Sequence, residues 1–256
     1  MDIPNGHLLR YRTGDGAAER VFSGPVLGAA TLQRDGGIVL LGIHGTVFDW
    51  HGRGARVLRA DLEPVRGTRF NDAIADSSGR VLSGTMPTAA RASCLLRIEP
   101  DGSDRVVVRG LGQSNGMALS ADERVLFHVD TREAVLRAYD YDVERGEPRS
   151  PRIVRRFDAE EGKPDGMAAD EEGLLWVAMW GGGCVIRVDP TSGREVSRVH
   201  VPAPLTSSVA FGGADRSDLY VTTAGGDDRA SHGELAGSLF VTRPGVRGAP
   251  LHRSDL

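Results

Sequence analysis

Cysteine is scarce: Cys94 and Cys184 are the only two in 256 residues, and they lack metal-ligand spacing. A disulfide framework is therefore not indicated, and a reducing cytoplasm fits. Lysine is scarcer still. Lys163 is the only one among 31 Lys and Arg residues, which reads as a codon effect of a GC-rich genome and not as phosphate chemistry. The net charge is only −4, both signs are interspersed, and no basic patch marks a nucleic-acid partner. No run of about 18 apolar residues is present, so no membrane-spanning helix is expected. The opening MDIPNGHLLRYR has no apolar core of a secretory signal. The seven histidines are scattered, without His-x-His or His-Glu-x-x-His spacing, which argues against a histidine-rich zinc site. Helical periodicity of 3.6 is also missing.

What is present is a repeat. A short apolar run, an Asp-centred turn and a second apolar strand recur as AATLQRDGGIVLLG at Asp35, AIADSSGRVLSGT at Asp76, MALSADERVLFHVD at Asp122 and MAADEEGLLWVAMW at Asp170. VAFGGADRSDLYVTTA at Asp215 is a looser fifth copy. The intervals are 41, 46, 48 and 45 residues. A third strand usually follows, as in CLLRIEPDG, VLRAYDYDVERG and CVIRVDPTSG. Short strands at this period predict the blades of an all-β propeller and not a sandwich or a parallel α/β fold. MDIPNGHLLRYRTGDG reads as the second half of a further blade. The expectation is a single six-bladed β-propeller domain over residues 1–256, with its first blade incomplete.

In a radial repeat, equivalent positions of the innermost strands converge on the channel mouth. The residues just before those strands are Asn71 in RFNDA, Asn115 in QSNGM, Asp165 in KPDGM and the Ser/Thr cluster of LTSSVA, while the copy at Gly28 offers no side-chain oxygen. Hard oxygens at one ring of positions suit a divalent cation. Taken singly, Asn-Gly and Asp-Gly are turn formers. Taken as equivalents in a repeat, they read as ligands.

GTRFNDAIADSSGRVLSGTM, SNGMALSADERVLFHVDT with AYDYD, PDGMAADEEGLLWVAMWGGGCVIRVDP and SSVAFGGADRSDLYVTTA resemble the senescence-marker-protein/gluconolactonase (regucalcin-like) family, in family order and spacing. The resemblance implies a six-bladed propeller that hydrolyses sugar lactones with one divalent metal ion, Ca²⁺ or Zn²⁺, with Mn²⁺ or Mg²⁺ as further possibilities. It implies Asn115 and Asp165 as metal ligands, Asp165 also as general base, and Arg69 and Asn71 as substrate-binding residues. The sequence departs from the family pattern twice. The family's metal-binding Glu, in a Gly-Glu-Gly/Ser-Pro-Val-Trp segment, would fall upstream of Met1. The expectation is a start placed too late, and the rival is a natural short form with impaired activity. Ala89 in PTAARAS stands where some relatives have a substrate-contacting Glu.

Other signals read as structure. Gly112-Gln113-Ser114-Asn115-Gly116 fits G-x-S-x-G, but a strand follows where a nucleophile elbow needs a helix. Asp72 is expected to brace a turn, His128 to pack in a strand, and Trp176 and Trp180 to fill core between blades. Gly181-Gly182-Gly183 is expected to be a hairpin turn, Cys94 and Cys184 buried thiols, and Gly225-Gly226-Asp227-Asp228 a surface loop. Three functions remain open: a metal-dependent sugar lactonase in the cytoplasm, a non-catalytic calcium- or ligand-binding propeller, and an interaction scaffold.

Overall fold

The computed structural model describes residues 1–225 and 229–256. Gly226, Asp227 and Asp228 of the expected surface loop lie outside the described residues. Among the described residues the chain is all β, apart from 3₁₀ turns at Glu63–Val65, Ala159–Glu161 and Arg229–His232. No helix is long and apolar enough to cross a membrane among these residues.

The first two strands, β1 (His7–Tyr11) and β2 (Ala18–Ser23), pair only with each other. Five antiparallel meanders follow. The first contains β3 (Leu27–Leu32), β4 (Ile38–Gly42), β5 (Val47–Trp50) and β6 (Ala55–Arg59). The second contains β7 (Phe70–Ala75), β8 (Val81–Thr85), β9 (Ser93–Ile98) and β10 (Asp104–Leu111). The third contains β11 (Ser114–Leu119), β12 (Val125–Asp130), β13 (Val135–Asp142) and β14 (Glu147–Arg156). The fourth contains β15 (Lys163–Ala169), β16 (Leu175–Trp180), β17 (Cys184–Val188) and β18 (Glu195–His200). The fifth has three strands, β19 (Thr206–Gly212), β20 (Asp218–Thr223) and β21 (Leu239–Thr242).

These meanders are the blades of a β-propeller, as the repeat predicts, but among the described residues there are five and not six. The expected incomplete blade is only a ribbon. HLLRYR does form a strand, yet the residues before it make no strand of their own, only a bridge from Asp2 to His7.

The repeated Asp explains each inner hairpin. Asp76 Oδ1 accepts the backbone N–H groups of Ser78 and Arg80, each at 3.0 Å. Asp170 Oδ1 accepts those of Glu172 and Leu174, again at 3.0 Å. Asp35, Asp122 and Asp215 accept from Gly37, Arg124 and Ser217. One carboxylate thus closes each turn by bonding the chain two residues on. Burial grades outward across a blade. Strand β16 (LWVAMW) is buried at five consecutive positions, while β18 (EVSRVH) is mostly exposed. The second strands β4, β8, β12 and β16 are almost wholly buried because both of their faces are covered, while β20 alternates.

The chain folds into two compact units. The first comprises Met1–Ser114, Val143–Glu147 and Leu251–Leu256. Its core gathers Val39, Leu41, Val47, Phe70, Val81 and Leu96. The second comprises Asn115–Asp142 and Pro148–Pro250. It buries Leu136, Val177, Met179 and Ile186 in one cluster and Trp176, Val185, Leu219 and Val221 in another. Trp176 meets Phe211 edge-on at 5.9 Å and is a core residue as expected. Trp180 is only half-buried, because it ends its strand and bridges to Leu205, so its assignment to the core is corrected. Cys94 and Cys184 are buried free thiols. His128 is buried edge-on to Tyr139, and desolvation lowers its pKa to about 4, so it packs as a neutral ring.

Candidate functional site

The residues singled out by the repeat lie inside the innermost strands and not just before them. Four of these strands carry a register slip at the same place. Pairing shifts between Leu27 and Ala29 in β3 and between Phe70 and Ala73 in β7. It shifts again between Pro164 and Met167 in β15 and between Thr206 and Ser208 in β19. The slips fall on Gly28, on Asn71 and Asp72, on Asp165 and Gly166, and on Ser207. A β-bulge inserts one unpaired residue and re-aims its side chain, which is how a regular blade turns polar groups away from its packed faces.

The glycines after Asn115 and Asp165 are not turn residues. A Cβ on Gly116 would lie 2.5 Å from Asp165 O and 2.6 Å from Met167 N. A Cβ on Gly166 would lie 2.2 Å from Ser208 Oγ, and one on Gly28 would lie 1.8 Å from Phe70 O. Glycine is required because the neighbouring inner strand, by its backbone at Gly28 and Gly116 and by Ser208 at Gly166, fills the place of a Cβ. That contact sets Asn115 and Asp165 on adjoining strands of the second unit. Gly116→Ala is expected to cost about 3 kcal/mol, the upper range of overpacking, because the obstructing atoms are main-chain. Denaturant melts check this; a loss below about 1 kcal/mol would show that the strands can part.

In the second unit the Asn115 amide is oriented by chemistry. The Thr131 hydroxyl donates to the Pro164 carbonyl at 2.7 Å, so it can only accept from Asn115 Nδ2, at 3.1 Å. The NH₂ end of Asn115 is thereby fixed. Asn115 is buried and Asp165 half-buried. Ser207 Oγ lies 2.9 Å from Thr222 Oγ1, adding hydroxyl oxygens at the next bulge. Thr131 had no signal in the sequence beyond its place in a hairpin.

In the first unit, Arg69 and Asn71 form one assembly. Arg69 Nη1 donates to Phe70 O and to Asn71 Oδ1, both at 2.8 Å, and Asn71 Nδ2 donates to Ser114 O at 2.7 Å. Both ends of the Asn71 amide are therefore engaged, unlike that of Asn115. Asp72 follows directly. Its carboxylate accepts Ala73 N at 2.8 Å, and burial raises its pKa to about 6 against that bond. Ala89 is exposed in the β8–β9 loop and offers no polar side chain. Ser114 is buried within β11, so a serine nucleophile is not presented.

Residues 1–225 match the family described as the SMP-30/Gluconolactonase/LRE-like region. The chain belongs to the SMP-30/gluconolactonase family. Pentonolactonase XacC of Haloferax volcanii is 38% identical over 268 residues, covering all of this chain and 89% of that protein. Regucalcin of Danio rerio is 34% identical over 264 residues, covering 98% and 88%. Among solved structures, a luciferin-regenerating enzyme superposes with a TM-score of 0.88 at 26% identity, covering 100% and 90%. A calcium-binding protein, regucalcin, from Agrobacterium tumefaciens superposes at 0.87 with 25% identity, covering 99% and 88%. Lactone hydrolysis is thus an activity named within the family to which the chain belongs.

No group of three or more His, Cys, Asp or Glu side chains able to hold a metal ion forms among the described residues. The candidate donors that distinguish this SMP-30/gluconolactonase chain are of another kind, an amide oxygen on Asn115 and a carboxylate on Asp165. Both are hard oxygen donors, and together with water they fit a cation of the calcium class in chemistry. They do not resemble the nitrogen and sulfur sets typical of structural zinc.

Proposed function

We propose that the chain is a divalent-metal-dependent hydrolase that opens sugar lactones in the manner of a gluconolactonase. One observation carries this reading: Thr131 fixes the NH₂ end of the Asn115 amide, on the strand whose Gly116 abuts the Asp165 carbonyl. In this reading Asn115 and Asp165 hold one cation, for which oxygen donors favour Ca²⁺, Mn²⁺ or Mg²⁺ over Zn²⁺. When bound, such an ion polarises the ester carbonyl and acidifies water. Asp165 takes the proton of the attacking water. Arg69 and Asn71 hold oxygens of the substrate, the guanidinium as a planar fork of donors already oriented by Asn71. Two buried thiols without a disulfide suit a cytoplasmic location.

The test is acid release from glucono-δ-lactone and pentonolactones in a pH-stat, before and after chelation. Chelation is expected to remove at least about 90% of turnover, and Ca²⁺, Mn²⁺ or Mg²⁺ to restore more of it than Zn²⁺. Undiminished turnover after chelation would remove the cation from the reading. Calcium binding without turnover of any lactone would select the second reading, a non-catalytic calcium-binding propeller. The single carboxylate in the Asn115–Asp165 pair is what favours that alternative.

A further inference from the structure

The bulge in β7 places one carboxylate that the reading above leaves unused. Phe70 and Ala73 are three residues apart, yet both pack into the same apolar cluster of the first unit. A regular strand would put them on opposite faces. The extra residue between them sends Asn71 and Asp72 to the other face together. Asn71 spans from Arg69 to Ser114 O on that face. Asp72 stands beside this assembly.

We propose that Asp72 is a catalytic residue, the general acid that protonates the ring oxygen as a lactone held by Arg69 and Asn71 opens. The proposal rests on the lactonase reading. In the step, the oxygen of water bonds to the ring carbonyl carbon. The carbon–oxygen bond of the ring breaks with its electron pair going to the ring oxygen, and that oxygen takes the Asp72 proton. The water's lost proton returns through solvent to Asp72, so the sum is lactone plus water to hydroxy acid. A sugar alkoxide is a poor leaving group, and this is the proton it needs.

The surroundings suit the role. A structural carboxylate is ordinarily matched by a cation or several donors, as Asp76 is by Arg80 and two backbone N–H groups. Among the described residues, the Asp72 carboxylate accepts only from Ala73 N. Among the described residues, the strands packed on β7 bring no charge to it: β3 is LGAATL and β8 is VLSGT, and Ser114, which accepts from Asn71, heads β11. On its own segment, the guanidinium of Arg69 is directed at Phe70 O and Asn71 Oδ1. Asp72 is crowded by protein yet only half-buried, so water and substrate can reach it. The acid form survives to about pH 6, where an ordinary aspartate would have lost it. With the folded pKa raised, ionisation opposes folding. Stability from this group is full below about pH 4 and is lost as pH rises through about 6.

Asp72→Asn tests the proposal with two lactones. One, glucono-δ-lactone, expels a sugar alkoxide; the other, dihydrocoumarin, expels a phenolate that needs no proton. The expected result is a fall in kcat of about 10²-fold or more on the sugar lactone, with KM changed less than about threefold, and under about tenfold on the aryl lactone. The fall of wild-type kcat above pH 6 should vanish in the variant. Its melting temperature should rise at pH 7.5 and not at pH 4, whereas a merely structural carboxylate would give a loss. Equal losses on the two lactones, or an unchanged pH profile with wild-type turnover, would overturn the acid while leaving the lactonase reading intact. No turnover of either lactone by the wild-type protein would sink the reading and the proposal together.

Discussion

Asp165→Asn is expected to lower kcat/KM for glucono-δ-lactone by about 10³-fold while shifting the melting temperature by no more than about 2 °C. The two side chains have the same shape, so the bulge between Pro164 and Met167 and the contact of Gly116 with the Asp165 carbonyl should persist. What disappears is charge. A neutral amide takes no proton from water, and loss of a general base alone costs about 10²–10⁴-fold. It also removes the only carboxylate of the proposed pair, so cation affinity should fall with turnover. Calorimetric titration with Ca²⁺ on the same preparation separates the two losses. Asn115→Asp, which adds charge at the neighbouring strand, should tighten the cation and recover little turnover in the double variant. Turnover within about threefold of wild type in Asp165→Asn would remove Asp165 from the chemistry.

The blade was readable because it is written twice in each copy, in the apolar strands and in the Asp that closes the turn between them. Both are local, and the carboxylates of Asp76 and Asp170 do in the structure what the spacing implies. The number of blades was not local. HLLRYR reads as a strand anywhere, and only pairing decides that β1 and β2 make a two-stranded ribbon and not part of a sixth blade. The same limit applies to the candidate site. Asn115 and Asp165 stand out by position in the repeat, yet the repeat assigns no role to the glycine after each. Its cause lies in another strand, Asp165 O lying 2.5 Å from where a Cβ on Gly116 would stand and Ser208 Oγ 2.2 Å from one on Gly166, which dipeptide preference does not encode. Register slips are properties of pairs of strands, so the bulge across Asn71 and Asp72 leaves no mark in RFNDA. Asp72 was accordingly read as a turn brace. Thr131, which orients Asn115 through one hydroxyl, is an ordinary hairpin residue in sequence. Trp180 looked like core by alternation, and strand-end geometry left it half-buried.

Asp170→Ala is expected to destabilise the second unit by about 3–5 kcal/mol, the range found when one partner of a buried ion pair is removed. Asp170 is 2% exposed and carries four roles at once. Oδ1 closes the turn through Glu172 N and Leu174 N, while Oδ2 accepts Trp176 Nε1 and Arg187 Nε, each at 2.8 Å. Arg187 also lies over the Trp176 ring at 5.5 Å. Removing the carboxylate leaves a buried guanidinium and an indole N–H without that acceptor, and Glu172 meets Arg187 only from the exposed side. Asp170→Asn keeps an acceptor for the turn and should cost roughly half as much, which separates geometry from charge. Replacing both partners, Asp170→Ala with Arg187→Met, should cost less than the sum of the single changes, because no uncompensated buried charge remains. Denaturant melts of the four proteins decide the matter. A loss under about 1 kcal/mol in Asp170→Ala, or strict additivity in the pair, would mean that solvent reaches Arg187 and that the turn closes without its carboxylate.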